Sequence, residues 1–163
     1  MYEIDQAVTY LKNCGVTFFK SEIFNNTQDV FLKMYGLPQL NDVFVVEDLR
    51  FFGETEFNTI KSKYLSVGFD GVGTICINLN TNEIISLTDE ISECYINNNI
   101  AEFVYFIYLY KSLFLDQEVE DDNTEYLIFK KIRDKFNLIN PKALLKESNW
   151  WSEVIEPLEF GLM

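Results

Sequence analysis

The sequence predicts an α+β fold, a central and mainly antiparallel sheet flanked by N-terminal and C-terminal helices. Three observations predict it. Apolar residues recur at helical spacing near the start of the chain and again beyond residue 100. Between them lie short runs rich in Val, Ile and Phe, separated by Gly, Asn and Asp. No internal repeat or linker-like stretch divides the 163 residues, so 1–163 is read as one domain with helices, then strands, then helices.

The first helix is expected from about Asp5 to Cys14, with Ala7, Val8 and Leu11 on one face and Gly15 just past its end. A second follows Asn26 or Thr27 as N-cap, carries Val30, Phe31 and Met34, and stops at Gly36 and Pro38. Strands are expected in "DVFVV", "LRFFG", "KYLSVGF", "GTICINL" and "EIISL". The last two flank Asn80-Thr81-Asn82, a turn suited to a hairpin. "CYINNNIAEF" passes the chain from sheet to helix, with Asn99 as cap and Glu102 completing a capping box. Ile100, Phe103, Val104, Ile107 and Phe114 fall on one face of this helix, which reads as central. The next helix is expected from Thr124 to Phe136, with Leu127, Ile128, Ile132 and Phe136 as its stripe. One or two short helices close the chain, Pro141 starting the first.

Charge narrows the possible partners. With 26 acids against 13 bases, the net charge is -13. Such a chain repels nucleic acid and anionic membranes, and its charge either favours basic proteins or cations as partners or serves solubility alone. The run "IAEFVYFIYLY" is too short to cross a bilayer, and "MYEIDQ" has no secretory character. Cys14, Cys76 and Cys94 form neither a disulfide framework nor a metal motif, which fits reduced thiols in a cytoplasmic protein. The chain has no histidine, so histidine-based hydrolases and histidine-bearing metal sites are excluded.

"GFDGVG", Gly68 to Gly73, raises the question of a phosphate loop. Such a loop needs a helix after the glycines, and here "TICINL" continues as a strand. Asp70-Gly71 therefore reads as a hairpin turn. Asp70 and the pair Glu47-Asp48 are carboxylates that could meet, and their expected role is as solvated surface acids. "DQEVEDDNTE" lacks the central glycine of a calcium loop. No catalytic residue, cofactor or metal ligand is assigned, and no enzymatic activity is expected.

Two features remain as candidates for partner binding. Asp116, Glu118, Glu120, Asp121, Asp122 and Glu125 lie in one stretch without a basic residue. It is either a solvated loop or a landing patch for a basic protein, and the dipole of the following helix favours acids at Asp121, Asp122 and Glu125 in either case. Trp150 and Trp151 would point about 100° apart on a helix, one into the core and the other either an interface anchor or, like the first, explained by helix–sheet packing alone.

Taken together, these segments resemble the SUKH superfamily, in its bacterial immunity-protein branch, subgroup four. The resemblance runs through "FLKMYGLP" (Phe31–Pro38), "LRFFG" (Leu49–Gly53), "YLSVGFDGVGTICINLNTNEIISL", "YINNNIAEFVYFIYLY" (Tyr95–Tyr110) and "IRDKFNLINPKALLKESNWWSEVIEPLEFGL". It rests on the order and spacing of packing and turn residues. Asn98 stands where serine is more usual. The resemblance implies an antidote that binds a cognate polymorphic toxin, such as a basic nuclease or deaminase, as a monomer or weak dimer. It carries no catalytic set. A regulatory or scaffolding module without a toxin partner is the alternative it leaves open.

Overall fold

The N-terminal helix ends where its backbone can turn. The structure is a computed structural model that describes residues 3–54, 56, 58–89, 91–119 and 121–161. Helix α1 (Ile4–Asn13) buries Ala7, Val8 and Leu11. It closes with Gly15 N–H donating to the Lys12 carbonyl at 3.0 Å and Val16 N–H to that of Leu11 at 3.0 Å, a Schellman arrangement. Strand β1 (Thr17–Phe19) then pairs antiparallel with β2 (Leu37–Gln39), enclosing a 3₁₀ turn and the short helix α2 (Val30–Met34).

The cap of α2 is Asp29, not Asn26 or Thr27. Its Oδ1 accepts from Leu32 N–H at 2.9 Å, and Oδ2 accepts from Ile100 N–H at 3.1 Å across the fold. One buried carboxylate thus serves the first turns of two helices, where unpaired N–H groups favour negative charge. Thr27 instead accepts from the Asp29 N–H at 3.3 Å. The inward residues of α2 are Phe31 and Leu32, while Val30 and Met34 face solvent.

The main sheet is antiparallel throughout, in the order β3-β5-β6-β7-β8, with β4 (Ile60–Lys61) also on β5. Its centre, β5 (Tyr64–Phe69), β6 (Thr74–Asn78) and β7 (Ile84–Thr88), follows the sequence expectation. "DVFVV" does not form a strand. Its consecutive residues Phe44 and Val45 are both buried, so it packs as an irregular segment rather than alternating between two faces. "LRFFG" contributes only β3 (Arg50–Phe51). A further strand, β8 (Ser92–Asn97), pairs with β7, and a register shift along it leaves Ile96 and Asn97 both buried.

Two glycines of "GFDGVG" have separate reasons. Gly71 has φ +93 in the β5–β6 turn, a conformation costly for any residue with a Cβ. At Gly68 a Cβ would lie 2.5 Å from the Arg50 carbonyl oxygen, so glycine is what allows β3 to approach β5.

Helix α3 (Ile100–Tyr110) is buried over most of its circumference and touches α1, α2, α4 and β8. Asn99 Oδ1 accepts from Glu102 N–H at 2.9 Å, as a capping box requires. The reciprocal arm is displaced by one residue, since Glu102 accepts from Asn98 N–H at 3.3 Å. A π turn (Lys111–Leu115) ends α3. Helix α4 (Asp122–Ile139) turns Glu125, Phe129, Ile132 and Phe136 inward, whereas Leu127 is 57% exposed. Ile132 and Phe136 of the expected stripe face inward and Ile128 is half-buried, so the difference lies at Leu127, where the inward positions of the first turns go to Glu125 and Phe129 instead. A 3₁₀ turn (Pro141–Leu144) and α5 (Trp150–Glu159) complete the fold. The three cysteines are free, with Cys76 buried in β6, where burial pushes its thiol up to about 11. No helix among the described residues is long and apolar enough to cross a membrane.

Candidate partner interface

The acidic stretch does not behave as one uniform loop. Asp116 accepts from the Tyr10 hydroxyl and lies 3.2 Å from Lys111 Nζ, so it ties α1 to the end of α3. Burial, reinforced by Asp116, pushes the Tyr10 phenol well above its ordinary range. Asp121 is the N-cap of α4, accepting from Thr124 N–H at 2.7 Å and Thr124 Oγ1 at 2.8 Å. The Thr124 backbone N–H is the main reason its carboxyl is held below the ordinary value. Asp122 is exposed beside Gly161, which brings the stretch against the end of α5. Glu118 is also exposed, and Glu120 lies outside the described residues.

Glu125 is different, because it is buried and its Oε2 has no hydrogen-bond partner among the described residues. Its charge acts on Tyr110, whose phenol is pushed up first by burial and then by that glutamate. A buried carboxylate with an open oxygen costs desolvation, which the N-terminal dipole of α4 offsets only in part. Glu125→Gln is therefore expected to stabilise the fold by roughly 1 kcal/mol. Urea titration checks this, and a fall in midpoint would mean that the carboxylate stabilises α4 by more than its burial costs.

Both tryptophans are buried, so neither stands out as a surface knob. Trp151 is fully enclosed, and its Nε1–H donates to Asn97 Oδ1 at 2.8 Å. Trp150 is 7% exposed and donates from Nε1 to Asp70 Oδ2 at 2.9 Å. This second bond leads to a feature that the sequence did not reveal. Asp70 is half-buried and accepts four hydrogen bonds, rather than lying free in solvent. Oδ1 takes Val72 N–H at 3.0 Å and Gly73 N–H at 2.7 Å, while Oδ2 takes Ser86 Oγ at 2.6 Å together with Trp150.

Asp70 lies in an open groove of about 350 Å³ between the Val45–Val46 segment, the β5–β6 turn, the end of β7 and α5. Trp150, Glu153, Val154 and Pro157 supply the α5 wall, and Val72, 79% exposed, forms a rim. Cys94 sits within it, its thiol pushed up by burial and by the negative charges of Glu153 and Asp70. Asp48 flanks the same turn, since a Cβ on Gly71 would lie 3.1 Å from its Cβ. A second cleft, about 430 Å³, runs along the other side of α5, where Arg133 joins Glu147, Glu156 and Glu159 over an apolar floor.

The first groove combines apolar surface with the carboxylates of Asp70 and Glu153, and in the second cleft Arg133 stands among three glutamates. Among the described residues no group of three or more acids and cysteines is placed to hold a metal ion. No phosphate-binding helix end follows the glycines, because β6 does. Trp150 and Asp70 were separately visible in the sequence, but a separation of 80 positions hid their contact. Glu153 gave no signal beyond one more acid on a helix.

A family model described as SUKH-4 immunity protein matches residues 21–157, which runs from before α2 into α5 and includes the whole lining of the groove around Asp70. No curated protein and no solved structure matches the chain. With that match covering most of its length, the chain belongs to the SUKH-4 immunity protein family.

Proposed function

We propose that this immunity protein binds and neutralises one cognate polymorphic toxin, a basic nuclease or deaminase domain, in the cytoplasm and without chemistry of its own. The observation that carries the reading is the family match over residues 21–157. Charge gives it a direction. A nuclease must present positive charge to nucleic acid, and a chain of net charge -13 is suited to occupy or screen that surface. In this reading the exposed Glu118, Asp121 and Asp122 supply the long-range field, with Glu120 between them in sequence. Asp116 shapes the segment through its ties to Tyr10 and Lys111. Trp150 meets the partner only by its groove edge, and Trp151 supports it from behind. The antidote works as a monomer or weak dimer.

Co-expression with a candidate cognate toxin domain tests the proposal. Protection of the cells and co-purification of the pair are expected, and unprotected cells with both proteins present would reject it. The charge argument has its own test. Asparagine caps a helix as well as aspartate, so Asp121→Asn with Asp122→Asn removes two charges while keeping the α4 cap. Stopped-flow association with that toxin is expected to slow by roughly two- to fivefold at low salt, with the dissociation rate little changed. Equal association rates would remove this segment from steering.

A further inference from the structure

We infer that the groove between α5 and the β5–β6 turn receives a single lysine or arginine side chain of the partner, with Glu153 and Asp70 facing its charge. This rests on the binding role proposed above and adds the chemistry of one contact.

Three observations carry it. The walls combine apolar surface from Val46, Val72, Val154 and Trp150 with two carboxylates, and no lysine or arginine lines them. That combination suits a long side chain with an aliphatic stem and a cationic end. The charge of Asp70 is also preorganised. All four donors on its carboxylate are neutral groups, so they fix its orientation and leave its charge uncompensated. Glu153, exposed on α5, makes no ion pair among the described residues and keeps its acceptor positions open. The negative charges of both residues raise the Cys94 thiol, which places them around the same point of the groove.

Other occupants fit less well. A divalent cation needs several open carboxylate oxygens, and those of Asp70 are already engaged. The cleft on the other side of α5 already contains the Arg133 guanidinium, so an incoming cation would meet a like charge there.

The test uses the ¹⁵N-labelled full chain, titrated with acetyl-Gly-Arg-Gly-amide, acetyl-Gly-Lys-Gly-amide and acetyl-Gly-Gln-Gly-amide. The basic peptides are expected to shift the Trp150 indole N–H and the amides of Val72 and Val154 saturably. The glutamine peptide should bind at least about tenfold more weakly, and Glu153→Gln should weaken the basic peptides by about tenfold, the scale of a lost charge-assisted hydrogen bond. Glu153 is exposed, so this variant leaves packing intact. No saturable shift, an equal response to the glutamine peptide, shifts centred on residues 116–122, or an unaltered Glu153→Gln titration would each overturn the inference. Protection of cells from the toxin is read separately. A chain that protects but fails the peptide titration loses only this contact, and one that binds the peptides but fails to protect loses the immunity role.

Discussion

Glu102→Ala is expected to lower stability by about 3–5 kcal/mol, a large part of the 5–15 kcal/mol that holds a typical domain together. Glu102 begins α3 as a buried carboxylate, and its acceptor positions are filled by asparagines. Oε1 takes Asn97 Nδ2 at 2.8 Å, Asn98 N–H at 3.3 Å and Asn140 Nδ2, while Oε2 takes Asn98 Nδ2 at 3.2 Å. Alanine would leave the Asn97 and Asn140 amides facing a void, and each buried orphan costs about 1–3 kcal/mol. Glu102→Gln should cost less, since one acceptor oxygen survives, although its NH₂ then faces other donors. Urea denaturation of both variants, with m held constant, reads the two numbers. A loss below about 1 kcal/mol in the alanine variant would show that water replaces the carboxylate at little cost.

The consequence reaches the proposed interface. Asn97 ends β8, Asn140 ends α4, and Asn140 also donates to the Tyr95 hydroxyl at 2.8 Å. Asn97 in turn accepts from Trp151, and Asn149 donates to the Lys142 carbonyl at 2.8 Å just before α5. One carboxylate therefore holds the strand, helix and turn that together position α5, and α5 forms a wall of both clefts. Weakening this network should loosen binding through the fold, whereas Glu153→Gln acts on the groove directly.

What the sequence made legible follows from the range of each interaction. Local rules identified the cap at Asn99, the turns at Asp70-Gly71 and Asn80-Asn82, and the central strands, because each depends on residues only a few positions apart. They failed where a distant partner decides. Asp29 was missed as a cap since half of its role is to accept from Ile100, 71 residues away. In α4, Ile132 and Phe136 face inward as patterning places them, but the first turns differ because Glu125 faces inward beside Tyr110, and patterning treats a glutamate as an outward residue. "DVFVV" has strand composition but no strand partner among the described residues. The acidic stretch was visible, yet its division into a tether, a cap and free charges depends on Tyr10, Lys111 and Thr124. The groove was not readable at all, because its walls come from segments as far apart as Val45 and Pro157.

Trp151→Ala is expected to cost about 4–5 kcal/mol and to lower the melting temperature by roughly 10–15 °C. Its indole packs against Phe136 at 4.8 Å between ring centroids, Phe106 at 5.6 Å, Phe103 at 6.0 Å and Trp150 at 4.8 Å. Alanine would empty the meeting point of α3, α4 and α5 and also leave Asn97 Oδ1 without its donor. Trp151→Phe refills most of that volume but still lacks the N–H, so its expected loss is about 2 kcal/mol, mostly the orphaned acceptor. Trp150→Phe removes only the donor to Asp70, which keeps three others and lies at a groove open to water, so about 1 kcal/mol is expected. Thermal unfolding of the three variants should therefore rank Trp151→Ala as most damaging, then Trp151→Phe, then Trp150→Phe. If Trp150→Phe proves as costly as Trp151→Ala, the groove edge is part of the structural core, and Trp150 loses its place at the partner interface.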